Sequence, residues 1–322
     1  YLIDDEMVAL VDTVDICYFE VYLRKIKQVI GERPINYLII NHMEPDHSGS
    51  IRLIKQHYPG IIIVGNKQTF GMIEGFYGVT GEQYLVKEGD FLALGHHKLR
   101  FYMTPMVHWP ETMMTFDETD GVLFSGDGFG CFGTVDGGFL DTRINVDKYW
   151  GEMVRYYSNI VGKYGSPVQK ALQKLGGLPI SAICSTHGPV WTENIAKVIG
   201  IYDRLSRYDA DEGVVIAYGS MYGNTEQMAE AIAEELSAQG VKNIVMHNVT
   251  KSHPSYIIAD IFRYKGLIIG SPTYSNQIFP EVEALLSKIL LREVKGRYLG
   301  YFGSFTWAGA AVKRLAEFAE KS

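Results

Sequence analysis

The sequence predicts a combination of α/β and α+β folds in two consecutive domains: a two-sheet sandwich flanked by helices in residues 1–209, and a doubly wound parallel sheet in residues 210–322. A chain of 322 residues exceeds the size at which a single hydrophobic core usually stops growing. Its first part alternates short apolar strands with turns and a few helices, whereas its second part alternates buried strands with helices. A polar stretch at residues 204–213 marks the predicted boundary between them.

The elements of the first domain are read from apolar runs and from helical periodicity. The segment 17–29 repeats apolar residues three or four apart, which predicts an amphipathic helix, and a second such helix is expected at residues 147–160. Short apolar runs predict strands at residues 7–11, 37–40, 61–65, 101–107, 122–126 and 180–186.

The second domain is predicted from a regular alternation of elements. Continuous apolar runs at residues 214–218, 243–246, 266–270 and 298–303 are typical of strands buried on both faces of a parallel sheet. A helix is expected at residues 226–239.

Composition and charge exclude several classes of protein. The formal net charge of −7 and the lack of a basic run argue against nucleic acid as a partner. No apolar stretch approaches the roughly 18 residues that span a bilayer, so we expect a cytoplasmic protein without a membrane partner. Cys17, Cys131 and Cys184 are far apart and form no C-x-x-C pair, which argues against a disulfide framework and an iron–sulfur cluster. Because the chain opens on Tyr1 within an apolar run, we expect it to be a fragment.

A short motif after the apolar run 37–40 predicts a metal site. Four potential ligands, His42, Glu44, Asp46 and His47, fall within six residues. The commoner hydrolase version of this motif has a third histidine where Glu44 stands. Hard oxygen donors shift the preference from zinc toward iron or manganese, so the motif suggests redox chemistry.

Three further strand ends carry donors that could complete the site. His108, Asp127 and His187 each follow an apolar run and precede a Gly- or Pro-containing turn. A single residue of this kind is more often a satisfied turn residue, but four such positions in this order are difficult to explain that way. The seven donors suit two metals, with Asp127 able to bridge them. His47 is the least certain, because the other six could supply three donors to each metal.

Three loops of the second domain predict a flavin site. The first follows the strand 214–218 and opens a helix, so its hydroxyls and backbone N–H groups suit a phosphate. It has neither a P-loop lysine nor a G-x-G-x-x-G pattern, which favours the monophosphate of FMN. Tyr274 and Trp307 could stack on the isoalloxazine ring or could merely cover an apolar edge. The candidate FMN-binding residues are Ser220, Met221, Tyr222, Gly223, Asn224, Thr225, Pro272, Thr273, Tyr274, Ser275, Asn276, Ser304, Phe305, Thr306, Trp307, Ala308 and Gly309.

With these motifs the chain resembles the flavodiiron proteins, also called A-type flavoproteins, over essentially its whole length. The resemblance implies a metallo-β-lactamase-like αββα domain with a non-haem diiron centre, followed by a flavodoxin-like domain that carries FMN. It implies that His42, Glu44 and His108 hold one iron and that Asp46, His47 and His187 hold the other. Asp127 would bridge the two irons, and these seven residues would be the catalytic ones.

The same resemblance implies an activity and partners. Family members reduce dioxygen to water, nitric oxide to nitrous oxide, or both, with electrons passed through FMN. The resemblance implies a head-to-tail homodimer or a dimer of dimers. Since the sequence carries no rubredoxin-like C-x-x-C domain, electrons would come from a separate carrier such as rubredoxin. Members usually have a further hairpin before Tyr1 and a further strand and helix after Ser322.

Two other functions remain open from the sequence. The first is a zinc hydrolase of the metallo-β-lactamase superfamily fused to a flavodoxin-like domain, against which Glu44 argues. The second is a non-catalytic electron carrier with a vestigial metal site. The choice between oxygen and nitric oxide does not follow from the sequence.

Several noticeable residues are interpreted as structural. His96 and His97 are expected to be solvated, because no carboxylate lies near them in the sequence. The segment 109–111 is expected to shape the turn that holds His108, and residues 156–157 to pack within a helix.

Overall fold

The structure is a computed structural model that describes residues 1–321, in which fifteen β-strands form three sheets and eleven α-helices connect them. The strands are β1 (Leu2–Ile3), β2 (Ala9–Val11), β3 (Tyr37–Ile39), β4 (Ile62–Gly65), β5 (Gln83–Leu85), β6 (Phe91–Ala93), β7 (Lys98–Met103), β8 (Met113–Asp117), β9 (Val122–Gly126), β10 (Ala182–Ser185), β11 (Asp211–Tyr218), β12 (Ile244–Asn248), β13 (Tyr264–Tyr274), β14 (Gln277–Ile278) and β15 (Tyr298–Ser304). The helices are α1 (Phe19–Ile30), α2 (Pro45–Ser48), α3 (Ile51–His57), α4 (Lys67–Tyr77), α5 (Asp147–Tyr156), α6 (Gly165–Leu175), α7 (Ile195–Ser206), α8 (Asn224–Ala238), α9 (Pro254–Arg263), α10 (Pro280–Arg292) and α11 (Ala310–Ala319).

Two of the sheets form the predicted sandwich. The first has the order β1-β2-β3-β4-β5, and all its pairs except β1/β2 are parallel. The second has the order β10-β9-β8-β7-β6, with β10 parallel to β9 and the other pairs antiparallel. Successive side chains of β3 point to opposite faces, so Ile39 joins a core shared with the second sheet while Leu38 joins a core shared with the helices.

Helix α1 illustrates how the sequence specifies the outer layer. Its buried residues Phe19, Leu23, Ile26 and Ile30 recur every three or four positions and form one apolar face in the helical core. The helix ends at Gly31, whose φ of 62° is one that glycine adopts without steric cost. The predicted helix at residues 17–29 is therefore confirmed, with its start displaced by a short 3₁₀ turn at Ile16–Tyr18.

The third sheet is the predicted doubly wound one. Strands β12, β11, β13 and β15 pair in parallel in that order, with β14 antiparallel to the end of β13. Helices α8, α9 and α10 lie in the crossover connections. Both fold classes expected from the sequence are confirmed.

Two predicted elements differ from the structure near their C-terminal ends. The strand predicted at residues 101–107 ends at Met103, because Pro105 lacks the N–H that a sheet ladder needs. The helix predicted at residues 147–160 is α-helical to Tyr156 and continues as a π-helical turn at Tyr157–Val161. In that turn the side-chain amide of Asn159 donates to the backbone carbonyl of Arg155 at 2.8 Å, so a side chain inserts into the hydrogen-bond ladder of the helix.

The chain forms two compact units that interleave in the sequence. One comprises Tyr1–Val146 and Ser166–Gly200, and the other comprises Asp147–Gly165 and Ile201–Ser322. A division at residues 209 and 210 remains a prediction for the functional domains. Within residues 1–321, none of the helices combines the length and the apolar character required to cross a membrane.

Candidate metal centre and flavin loops

The short motif after β3 delivers its donors in two directions. His42 and Glu44 lie in the extended loop after Ile39, whereas Asp46 and His47 lie in α2, which begins at Pro45. Proline favours the first position of a helix because its fixed φ is already helical and it lacks the N–H that would be unbonded there. Pro45 therefore separates the motif into an extended pair and a helical pair.

The extended pair meets His108 in a first group of donors. The Nε2 atom of His108 lies 3.1 Å from Oε2 of Glu44, and Nε2 of His42 lies 3.4 Å from the same oxygen. His42 is fully buried, while the Glu44 side chain is partly exposed. The pKa of Glu44 is lowered to about 2 by its hydrogen bonds to His108 and His42. This group can hold one cation.

The helical pair meets His187 in a second group. Nε2 of His187 lies 3.2 Å from Oδ2 of Asp46 and 3.2 Å from Nε2 of His47. The other oxygen of Asp46, Oδ1, is shielded from solvent and has no hydrogen-bond partner in the described part of the chain. Two facing imidazole nitrogens beside an unsatisfied buried oxygen are an arrangement that a bound cation would satisfy. This group can hold a second metal ion.

Asp127 lies between the two groups, with one oxygen toward each. Its Oδ2 is 3.1 Å from Nε2 of His108, and its Oδ1 is 2.8 Å from Nε2 of His47. Thr186 donates to Oδ1 at 2.8 Å and fixes the orientation of the carboxylate. Burial alone would raise the pKa of Asp127, but its hydrogen bonds to His108 and His47 hold that pKa well below its usual range. The carboxylate is therefore ionised and positioned to bridge two cations.

Two buried carboxyl groups behind the site were not singled out as site residues by the sequence analysis. Asp12 accepts a hydrogen bond from the backbone N–H of Asn41 at 2.8 Å, and burial raises its pKa. Glu111 accepts one from Nδ1 of His42 at 2.8 Å and another from the backbone N–H of Met43 at 2.9 Å. Glu111 was expected to shape the turn of His108, and its carboxylate contacts and orients the ring of His42.

The expectation that His97 is solvated and has no carboxylate neighbour was wrong. Nδ1 of His97 lies 2.8 Å from Oδ2 of the buried Asp117, because the antiparallel pairing of β7 with β8 brings together residues distant in the sequence. Asp120 is also within reach of a shared cation. Both oxygens of Asp117 have partners, since the other one accepts from the N–H of Thr119. This cluster is satisfied by hydrogen bonds within the protein and ties two hairpins together.

The three predicted flavin loops meet at one end of the third sheet. Thirteen of the candidate residues line a common pocket there: Met221, Tyr222, Asn224, Thr225, Pro272, Thr273, Ser275, Asn276, Ser304, Phe305, Thr306, Trp307 and Ala308. The hydroxyls of Thr225 and Ser304 lie 2.8 Å apart, which connects the first loop to the third. The pocket lies where parallel strands end and where α8 begins, a position suited to a phosphate.

Four of the candidates do not line that pocket. Ser220 instead organises the first loop, because its Oγ accepts from the N–H of Gly223 at 3.2 Å. Gly223 adopts a φ of 88°, a conformation that favours glycine, directly before α8. Tyr274 packs edge-on to Phe279, with the ring centroids 6.2 Å apart. The fourth is Gly309, which precedes α11.

Comparisons with known families match both units. The model of the ODP family beta lactamase matches residues 1–188, and the flavodoxin model matches residues 216–322. Together they cover both groups of donors and all three loops.

The chain is also similar over nearly its whole length to individual proteins and solved structures. The chain is 32% identical over 320 residues to the anaerobic nitric oxide reductase flavorubredoxin of Vibrio vulnificus, with 98% of this chain and 65% of that relative covered. It is 31% identical to the structure of rubredoxin oxygen:oxidoreductase from Desulfovibrio gigas, with a TM-score of 0.95 and coverage of 99% of this chain and 80% of that one. It is 27% identical to the flavodiiron protein from Giardia intestinalis, with a TM-score of 0.96 and coverage of 99% of this chain and 79% of that one.

Proposed function

Since the chain belongs to the flavodiiron proteins, we propose that it reduces dioxygen to water, nitric oxide to nitrous oxide, or both. Family membership and the flavodoxin domain imply FMN and a non-haem diiron centre as cofactors. The chain spans 65% of the length of the flavorubredoxin that it matches, so the activity of that longer protein applies here as a proposal.

The observation that carries this proposal is the symmetry of the donors about Asp127. One side has His42, His108 and Glu44, and the other has His47, His187 and Asp46. Each side is thus a pair of histidines with one carboxylate, the set that non-haem ferrous sites use with coordination positions left open for a gas. Asp127 faces each side with one oxygen.

The residues would share the work as follows. The seven donors would hold two irons, and Asp127, which faces both groups, would connect them. When bound, the iron pair and FMN together supply the electrons that convert the gas without release of partly reduced products. Glu44, Asp46 and His187 are partly exposed, and these three side chains leave the pair accessible from one side.

Electrons would enter through the flavin domain from a separate small carrier. Two of the similar proteins include rubredoxin in their names, which supports a rubredoxin-type donor. We also propose a cytoplasmic location and a head-to-tail homodimer or dimer of dimers, in which the flavin of one subunit serves the irons of another. Mixing a subunit impaired in metal binding with one impaired in FMN binding should restore activity only if electrons cross between subunits.

The zinc-hydrolase alternative is less well supported. The carboxylate of Glu44 lies among the donors of the first group, where a hydrolase would place a third neutral histidine. A non-catalytic carrier with a vestigial site would not need seven converging donors. Assays of ester, thioester and lactam cleavage, together with metal analysis, separate these alternatives from the proposed reductase.

The decisive experiment is anaerobic purification followed by metal and flavin analysis and gas consumption. We expect iron and FMN in a ratio of about 2:1, with oxygen or nitric oxide consumed when a chemically reduced rubredoxin supplies electrons. Steady-state rates with each gas under the same reductant would decide which one is preferred. A protein that contains zinc alone and shows no flavin absorbance would refute the proposal.

A further inference from the structure

We infer that Glu111 is a positioning residue for the iron held by His42, and that its negative charge tunes that iron. The inference rests on the proposed diiron centre. The residue lies between the His108 turn and β8, and its side chain is fully buried.

The geometry fixes which ring nitrogen of His42 faces Glu111. A carboxylate oxygen accepts hydrogen bonds, so Nδ1 of His42 must carry the proton that it donates to Oε1 of Glu111 at 2.8 Å. Nε2 is then the ring nitrogen that faces Glu44 and Asp127. A histidine held through Nδ1 in this way presents Nε2 to a metal.

The same oxygen also fixes the backbone of the motif. Oε1 of Glu111 accepts the N–H of Met43 at 2.9 Å, so one atom holds both the ring of His42 and the peptide after it. Glu111 and His42 are 69 positions apart, and this contact joins the segment that carries His108 to the segment that carries the first pair of ligands.

The second oxygen indicates that the charge itself has a role. Oε2 of Glu111 is shielded from solvent and has no hydrogen-bond partner among residues 1–321. A buried carboxylate with an unsatisfied oxygen is costly, and a neutral amide could accept the same two hydrogen bonds. Glu44, Asp46 and Asp127 offer three negative charges to two divalent ions, and Glu111 supplies the fourth that balances them. A carboxylate behind an imidazole also raises its basicity, which favours the ferric state of the attached iron.

The test compares Glu111→Gln with the wild type and with a matched control. Glutamine keeps the length and the acceptor oxygen but removes the charge. Glu118→Gln is the control, since Glu118 pairs with Arg100 and Lys98 on a partly exposed surface. Ferrous iron binding is measured anaerobically against a competing chelator, and the midpoint potential of the iron pair is measured by spectroscopic titration. FMN content and thermal unfolding report whether each variant is folded.

We expect Glu111→Gln to lower the affinity for iron about 10- to 100-fold and to raise the midpoint potential, with Glu118→Gln unchanged. Affinity and potential equal to those of the wild type would overturn the inference and leave Glu111 as a loop anchor. If Glu111→Gln does not fold, nuclear magnetic resonance of the zinc-loaded wild type provides the second test. It should show a proton on Nδ1 of His42 shifted strongly downfield, and its absence would overturn the inference. Iron binding by the wild type without gas reduction would instead refute the proposed function and leave the Glu111 test intact.

Discussion

Replacing Asp127 by asparagine should remove the connection between the two groups of donors. Asp127 uses Oδ1 toward His47 and Oδ2 toward His108, and both oxygens carry negative charge because its pKa lies well below its usual range. Asparagine has nearly the same size but only one acceptor oxygen. Its NH₂ group would face one set of ligands as a donor, which no cation accepts.

The magnitude follows from charge and from ligand number. Losing one carboxylate charge about 4 Å from a cation costs on the order of 4 kcal/mol per unit of cation charge at an effective dielectric constant near 20. Since 1.4 kcal/mol corresponds to a factor of ten, we expect the affinity for at least one iron to fall by about 1,000-fold or more. Anaerobic titration with ferrous iron, followed by metal analysis after dialysis, should find one iron or none per chain.

Two variants show whether the effect is specific. Thr186→Val removes only the hydroxyl that donates to Oδ1 of Asp127, so its loss of affinity should be about 10- to 100-fold. Asp136→Asn makes the same chemical change at an exposed position and should bind iron as the wild type does. If Asp127→Asn retained two irons with unchanged affinity, Asp127 would not bridge the metals and the assignment of the centre would be wrong.

The remaining predictions concern Asp141 in the first compact unit and Trp307 in the flavin pocket. Asp141 accepts hydrogen bonds from the backbone N–H groups of Thr192 and Asn194. Burial alone would raise the pKa of Asp141, but these hydrogen bonds lower it. Asp141→Asn should therefore reduce the free energy of unfolding by about 2 kcal/mol at pH 7. A carboxyl whose pKa is lowered in the folded state stabilises the fold at pH values above its ordinary pKa, and this stabilisation is lost as the pH falls through the folded-state pKa. The difference in unfolding free energy between wild type and variant should therefore shrink from pH 7 to below about pH 4, which denaturant titrations measure. An equal difference at both pH values would contradict the reasoning. Trp307→Ala should weaken FMN binding about fivefold, or about 1 kcal/mol of aromatic contact, in a flavin fluorescence titration. Tyr298→Ala is the exposed control, and equal affinities in both variants would mean that Trp307 only covers an apolar edge.

The candidate ligands could be predicted because each follows an apolar run whose end lies at a common edge of the sandwich. Asp127 and His187 come directly after the neighbouring strands β9 and β10, so their convergence follows from strand order alone. His108 is less direct, since β7 ends at Met103 and a further turn carries the chain to the site. That turn is closed by the N–H of Met106, which donates to the carbonyl of Trp109 at 2.7 Å.

Contacts between distant segments could not be predicted from the sequence when no sequence pattern links the two segments. Glu111 stands 69 positions from His42, and Asp117 stands 20 positions from His97. No periodicity links either pair, and only the packed sheets bring them together. The interleaving of the two compact units has the same origin, because α5 groups with residues beyond Ile201 through packing that a local composition shift does not reveal.

Pro45 explains how six residues can serve two metals at once. In a continuous strand His42, Glu44 and Asp46 would project from one face, and in a continuous helix His42 and Asp46 would lie together while Glu44 pointed away. The change from extended chain to helix at Pro45 breaks both patterns, so His42 and Glu44 face the first group while Asp46 and His47 face the second. The separation of the two donor groups is thus set by the backbone where α2 begins, as well as by Asp127.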